Sequence, residues 1–99
     1  MDASEASRLF DELRACIDAG PGPKPAILRR AIGIVNALLA AAPGGLPRAT
    51  LVLIQDQLPL WFSDLKWRGD EAQLRSDLIQ DIDLVKNNWD RPGPDGTTP

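Results

Sequence analysis

Two clusters of proline and glycine punctuate the first half of the chain: Gly20, Pro21, Gly22, Pro23 and Pro25, then Pro43, Gly44, Gly45 and Pro47. Proline has no amide hydrogen to donate and glycine favours turns, so neither helix nor strand continues through such a cluster. Each intervening run must therefore form an element of its own. Only Thr50, Leu51, Val52, Leu53 and Ile54 have the composition of a strand. With no second run of that kind to pair with, a lone strand would leave its backbone groups without partners. The sequence thus predicts an all-α domain, a compact four-helix bundle.

The helices can be placed by spacing. Leu9, Leu13, Cys16 and Ile17 recur at intervals of three and four behind the caps Asp2 and Ser4, and this first amphipathic helix should stop at Gly20. Pro25 suits the first turn of a second helix, because its missing amide would be unpaired there in any case. That helix runs to Ala42 with two adjoining apolar stripes, Ile27, Ala31, Ile34 and Leu38 beside Leu28, Ile32, Val35 and Leu39. So broad a coat predicts a central helix, with Gly33, Ala37 and Ala41 allowing a neighbour to come close. A third helix starts at about Pro47 and meets Pro59, which should kink it near Leu58 or split off a second piece carrying Trp61, Phe62 and Leu65. Asp70 and Gln73 have the form of a reciprocal cap, and Leu74, Leu78, Ile82, Val85 and Trp89 define the last helix. Residues 1–90 are read as one domain. Residues 91–99, rich in proline, glycine and threonine and without an apolar anchor, are read as a disordered tail.

Composition removes most catalytic designs. In 99 residues there is no histidine and one cysteine, Cys16, so no imidazole base, no disulfide framework and no thiolate zinc site is expected. Cys16 lies on the apolar stripe of its helix, where a small core residue belongs. The serines Ser4, Ser7, Ser63 and Ser76 lack a histidine partner. The prolines between Gly20, Gly22 and Lys24 deprive that turn of the amides a phosphate cradle would need. Asp77 and Asp81, with Asp70 nearby, share an edge of the last helix, but hard metals require about six oxygens arranged by a loop or by several helices. The sequence is therefore read as non-enzymatic, with no metal and no cofactor. One unpaired thiol and an acidic start at Asp2 and Glu5 place it in the cytoplasm, and no apolar run reaches the roughly 20 residues of a membrane span.

Charge is segregated. From Gly20 to Gln55 the ionisable groups are Lys24, Arg29, Arg30 and Arg48, with no acid, while both ends of the chain are acidic and the net charge is -3. In a bundle the acidic outer helices should pair with the basic one between them. The overall acidity opposes nucleic-acid binding. The remaining signal is aromatic: Trp61, Phe62 and Trp67 fall in one short stretch, with Arg68 beside them. Tryptophan concentrates at interfaces. The sequence therefore points to a protein-interaction module, an adaptor, regulatory subunit or inhibitor, that binds another protein through Trp61, Phe62, Trp67 and Arg68. The apolar second helix also allows a homodimer. The alternative is an acidic decoy or immunity-type inhibitor that occupies a basic site through the first and last helices.

Overall fold

The side chain of Asp2 caps the first helix, accepting a hydrogen bond from the amide of Glu5 at 2.8 Å, in a computed structural model that describes residues 2–42, 44–63 and 71–89. Helix α1 spans Ala3–Asp18, α2 Pro25–Ala41, α3 Leu46–Trp61 and α4 Glu71–Asn88, and no strand occurs among the described residues. The protein is an all-α four-helix bundle. Residues 90–99, including the tail expected to be disordered, lie outside the described residues, as do Asp70 and Leu65.

Each helix packs against two others, in the closed order α1, α2, α3, α4 and back to α1. Hydrogen bonds fix the directions. Gln55 donates to Asn36 at 2.8 Å and Arg48 to the Leu39 carbonyl at 3.4 Å, so α3 runs against α2. Arg14 meets Asp83 and Asp11 meets Lys86, so α4 runs against α1. The topology is up-down-up-down, as short connections dictate.

The core draws on the stripes that the sequence spacing marks in α1, α2 and α4, and adds Phe10 and the inner face of α3, which that spacing does not mark. Phe10, Leu13 and Ile17 of α1 meet Ala31, Val35 and Leu38 of α2, Leu51, Ile54 and Leu58 of α3, and Leu78, Ile82 and Val85 of α4. Burying one such large side chain stabilises the fold by about 1.5–3 kcal/mol relative to leaving it in water. Trp89 is half-buried and stands edge-on to Phe10, with ring centroids 5.5 Å apart and an interplanar angle of 77°.

Two expectations are corrected. Helix α2 is not central but one of four equivalent corners, because α1 and α4 close the ring on the far side. Gly33 and Ala37 accordingly face outward, and nothing lies within 4 Å of where a Gly33 Cβ would stand. Of the two outcomes expected at Pro59, a kink or a split, the split does not occur: α3 continues as one element to Trp61, with Phe62 as its cap residue. Pro59 falls in the last turn on the exposed side, where the missing amide costs one hydrogen bond and water can serve the Gln55 carbonyl.

Trp61 ties the end of α3 to the end of α1, across the diagonal of the ring. Its indole is 1% exposed and donates from Nε1 to the Ile17 carbonyl at 3.3 Å, while its own carbonyl accepts from the Gly22 amide at 3.0 Å. The intervening turn requires positive φ at Gly20 and Gly22, 98° and 111°. Lys24 folds back over it, donating to the Pro21 carbonyl at 2.8 Å and the Gly20 carbonyl at 3.3 Å. A lysine here also complements the negative end of the α1 dipole.

Replacing Trp61 by Phe removes the Ile17 bond and part of the packing, and urea unfolding should report a loss of about 1–3 kcal/mol. In contrast, the buried Oε1 of Gln57 has no hydrogen-bond partner. Gln57→Met, which keeps the volume and deletes that acceptor, should raise stability by about 1 kcal/mol in the same assay.

Candidate functional site on the outer edge of α3 and α4

Of the four sequence-derived contact residues, the structure describes two, and both are buried. Trp61 and Phe62 are core residues, 1% and 4% exposed, because the last turn of α3 points them inward over Ile17 and the turn that follows α1. Trp67 and Arg68 lie outside the described residues. The apolar surface that remains open is aliphatic. Leu46, Leu53 and Leu60 of α3 are 46%, 54% and 43% exposed, and Leu84 of α4 is 39% exposed; Val52, 43% exposed, lies apart from them on the outward face of α3.

Spacing places these side chains together. Seven residues make about two helical turns, so Leu46, Leu53 and Leu60 form a column along α3. At about 100° per residue, Arg48 and Gln55 mark the edge of α3 that faces α2, and the column falls on the opposite edge, toward α4. On α4, Arg75, Asp83 and Lys86 mark the edge facing α1. Asp77, Asp81 and Leu84, spaced by four and three, occupy the other edge, toward α3. Asp56 follows Leu53 by three residues and precedes Leu60 by four, on the same flank as the leucines. The result is an aliphatic column bordered by carboxylates.

Where the cations went explains the border. Arg14 pairs with Asp83 at 3.3 Å, Lys86 with Asp11 at 3.0 Å, and Arg75 with Asp18, so acid, base and acid on α1 meet base, acid and base on α4. A single pair joins α1 to α2, Arg30 with Glu12 at 3.5 Å. The expected pairing of acidic outer helices with the basic one is thus a minor component. Closing the ring makes α1 and α4 neighbours, and Arg14, Arg75 and Lys86 are used between them, which leaves Arg8 as the one cation of the two helices outside the seam. All eight side chains are partly exposed, so each pair contributes about 0–1 kcal/mol. Among the described residues no cation pairs with Asp56, Asp77 or Asp81; Asp77 accepts a hydrogen bond from Gln73 at 2.9 Å.

Other candidates offer less chemistry. Burial pushes the Cys16 thiol above its ordinary value, with the Arg30 guanidinium opposing and the Glu12 carboxylate adding to the shift. A protonated, buried thiol is a poor nucleophile, and Cys16 serves as a small core residue. An open groove of about 680 Å³ lies between the start of α1 and the end of α4, beside Ser4, Ser7, Phe10, Lys86, Asn87 and Trp89. Its one cation, Lys86, is already held by Asp11. The phosphate-cradle possibility at Gly22 is closed by the Trp61 carbonyl, which takes that amide. Among the described residues no group of three His, Cys, Asp or Glu side chains is placed to hold a metal ion, and no helix is long and apolar enough to cross a membrane.

Compared with known protein families, characterised proteins and solved structures, the chain matches none of them. Its function must be argued from the bundle itself.

The acidic border leaves a mark on titration. Burial, then the neighbouring Asp77, holds the Asp81 carboxyl above its ordinary value of 3.8. The folded chain therefore binds this proton more tightly than the unfolded chain. Its contribution to stability is present below the ordinary value and is lost as pH rises through the raised one. Asp81→Asn should consequently melt higher than the parent at about pH 7, with the difference closing at about pH 3. Thermal denaturation of the two proteins at both pH values checks the sign.

Proposed function

We propose that the protein is a small non-catalytic protein-interaction module, an adaptor, regulatory subunit or inhibitor, that holds another protein on the leucine edge of α3 and α4. One observation carries this reading: Leu46, Leu53 and Leu60 remain about half exposed in a single column, although the chain has an otherwise well-sorted core. Scattered exposed leucines are ordinary on protein surfaces, whereas a contiguous apolar column is a recurrent feature of contact sites. Such a column presents the same periodicity that helices use when they dock in grooves.

The functional class expected from the sequence is retained and its location is moved. With Trp61 and Phe62 in the core, the aromatic anchor loses two of its expected members, and the aliphatic column becomes the better-supported contact. The decoy alternative is weakened along the α1–α4 seam, where Asp11, Asp18 and Asp83 are engaged with Lys86, Arg75 and Arg14, while the other edge of α4 keeps Asp77 and Asp81 without a paired cation among the described residues. Self-association through α2 loses its motive too. Its large apolar side chains are buried or half-buried, and its outward face is Ala26, Gly33, Ala37 and Ala40 with Arg29 and Asn36.

The test compares proteins captured from native cells by three forms of the chain: the parent, Leu46→Gln with Leu53→Gln, and Arg29→Gln on the far corner as a control. Circular dichroism should give the same helicity for all three. Partners retained by the parent and the Arg29 variant should be lost from the leucine variant, with affinity reduced at least about tenfold. Identical capture by all three would remove the leucine edge as the contact.

A further inference from the structure

Resting on the leucine edge as the contact surface, we propose that its partner is a basic amphipathic helix, with apolar side chains repeating about every seven residues and Lys or Arg on its flanks. The leucine column supplies the period: residues seven apart on α3 are about 10.5 Å apart along the axis, the repeat of a second helix laid beside it. The border supplies the sign. Every described cation of α3 and α4 is turned away from this edge: Arg48 reaches the Leu39 carbonyl, Arg75 reaches Asp18 and Lys86 reaches Asp11. What remains on the leucine flanks is Asp56, Asp77 and Asp81, with no compensating cation among the described residues.

Asp77 and Asp81 are four apart on one helix, a spacing at which like charges repel. A lysine or arginine from outside relieves that repulsion and attracts all three carboxylates, so apolar and electrostatic complementarity select the same partner. A second copy of this chain is a poor occupant. It would bring the same three carboxylates to the same face, where like charges meet across the contact.

The experiment uses the full chain and synthetic helical peptides of defined composition. One carries leucine at the seven-residue repeat with lysine on the flanks, a second has glutamate in place of lysine, and a third has alanine in place of leucine. Fluorescence anisotropy should detect binding of the leucine-lysine peptide alone, with methyl shifts at Leu46, Leu53, Leu60 and Leu84. Affinity should fall about tenfold in the triple variant Asp56→Asn, Asp77→Asn and Asp81→Asn, and should also fall as salt rises from about 0.05 to about 0.5 M. Leu46→Gln with Leu53→Gln should abolish binding.

Equal binding of the glutamate peptide would overturn the basic partner and leave the leucine edge standing. Binding of the lysine peptide that ignores the leucine variant would overturn both. Failure of every peptide overturns the proposal. If light scattering in that case shows a dimer that the leucine variant dissolves, the occupant is a second copy.

Discussion

The diagonal contact made by Trp61 locks the bundle at one end. The antiparallel seams bring the ends of α1 and α3 to the same end of the ring. Trp61 joins those ends directly. Its indole bonds the last turn of α1, and its carbonyl bonds Gly22 in the turn that leaves α1 for α2. One residue thereby joins the end of α3 to the end of α1 by its side chain and to the turn that leads into α2 by its backbone, with Lys24 closing the same turn from outside. An aromatic group with a polar tip suits this position, since it fills the core and adds a hydrogen bond to the Ile17 carbonyl, which also accepts from the Gly20 amide.

Once that end is set, the surface follows. With α1 and α3 on a diagonal, α1 and α4 become neighbours, and three of their four cations, Arg14, Arg75 and Lys86, are used between them. The opposite edge of α4 keeps its carboxylates, and the outward side of α3 keeps its leucines. The combination of an aliphatic column and an uncompensated acidic border is a consequence of how the ring closes. No single helix contains it.

Much of the fold was legible along the chain. The proline and glycine clusters mark the two turns, Asp2 marks the first cap, and the three-and-four spacing of Leu78, Ile82 and Val85 marks the buried face of α4. These are local rules, and a few neighbouring residues decide them. The candidate site was less legible. Leu46, Leu53 and Leu60 have the same composition as core leucines, and Trp61 and Phe62 have the composition of an interface. A seven-residue repeat displaced from the Leu51, Ile54 and Leu58 stripe is the signal that finds the column. It becomes meaningful only when that inner stripe is known to exhaust the space inside.

The sequence alone determined the all-α class, the number of helices and much of the inward face of α1, α2 and α4, because helix periodicity and the cost of unpaired backbone groups act within one element. Tertiary structure decided which helices are neighbours. From that came the outward turn of Gly33, the burial of Trp61, the passage of α3 through Pro59 and the sorting of charge that leaves one edge apolar and acidic. The physical reason is that burial and ion pairing are properties of pairs of elements, and a pair exists only after the ring has closed.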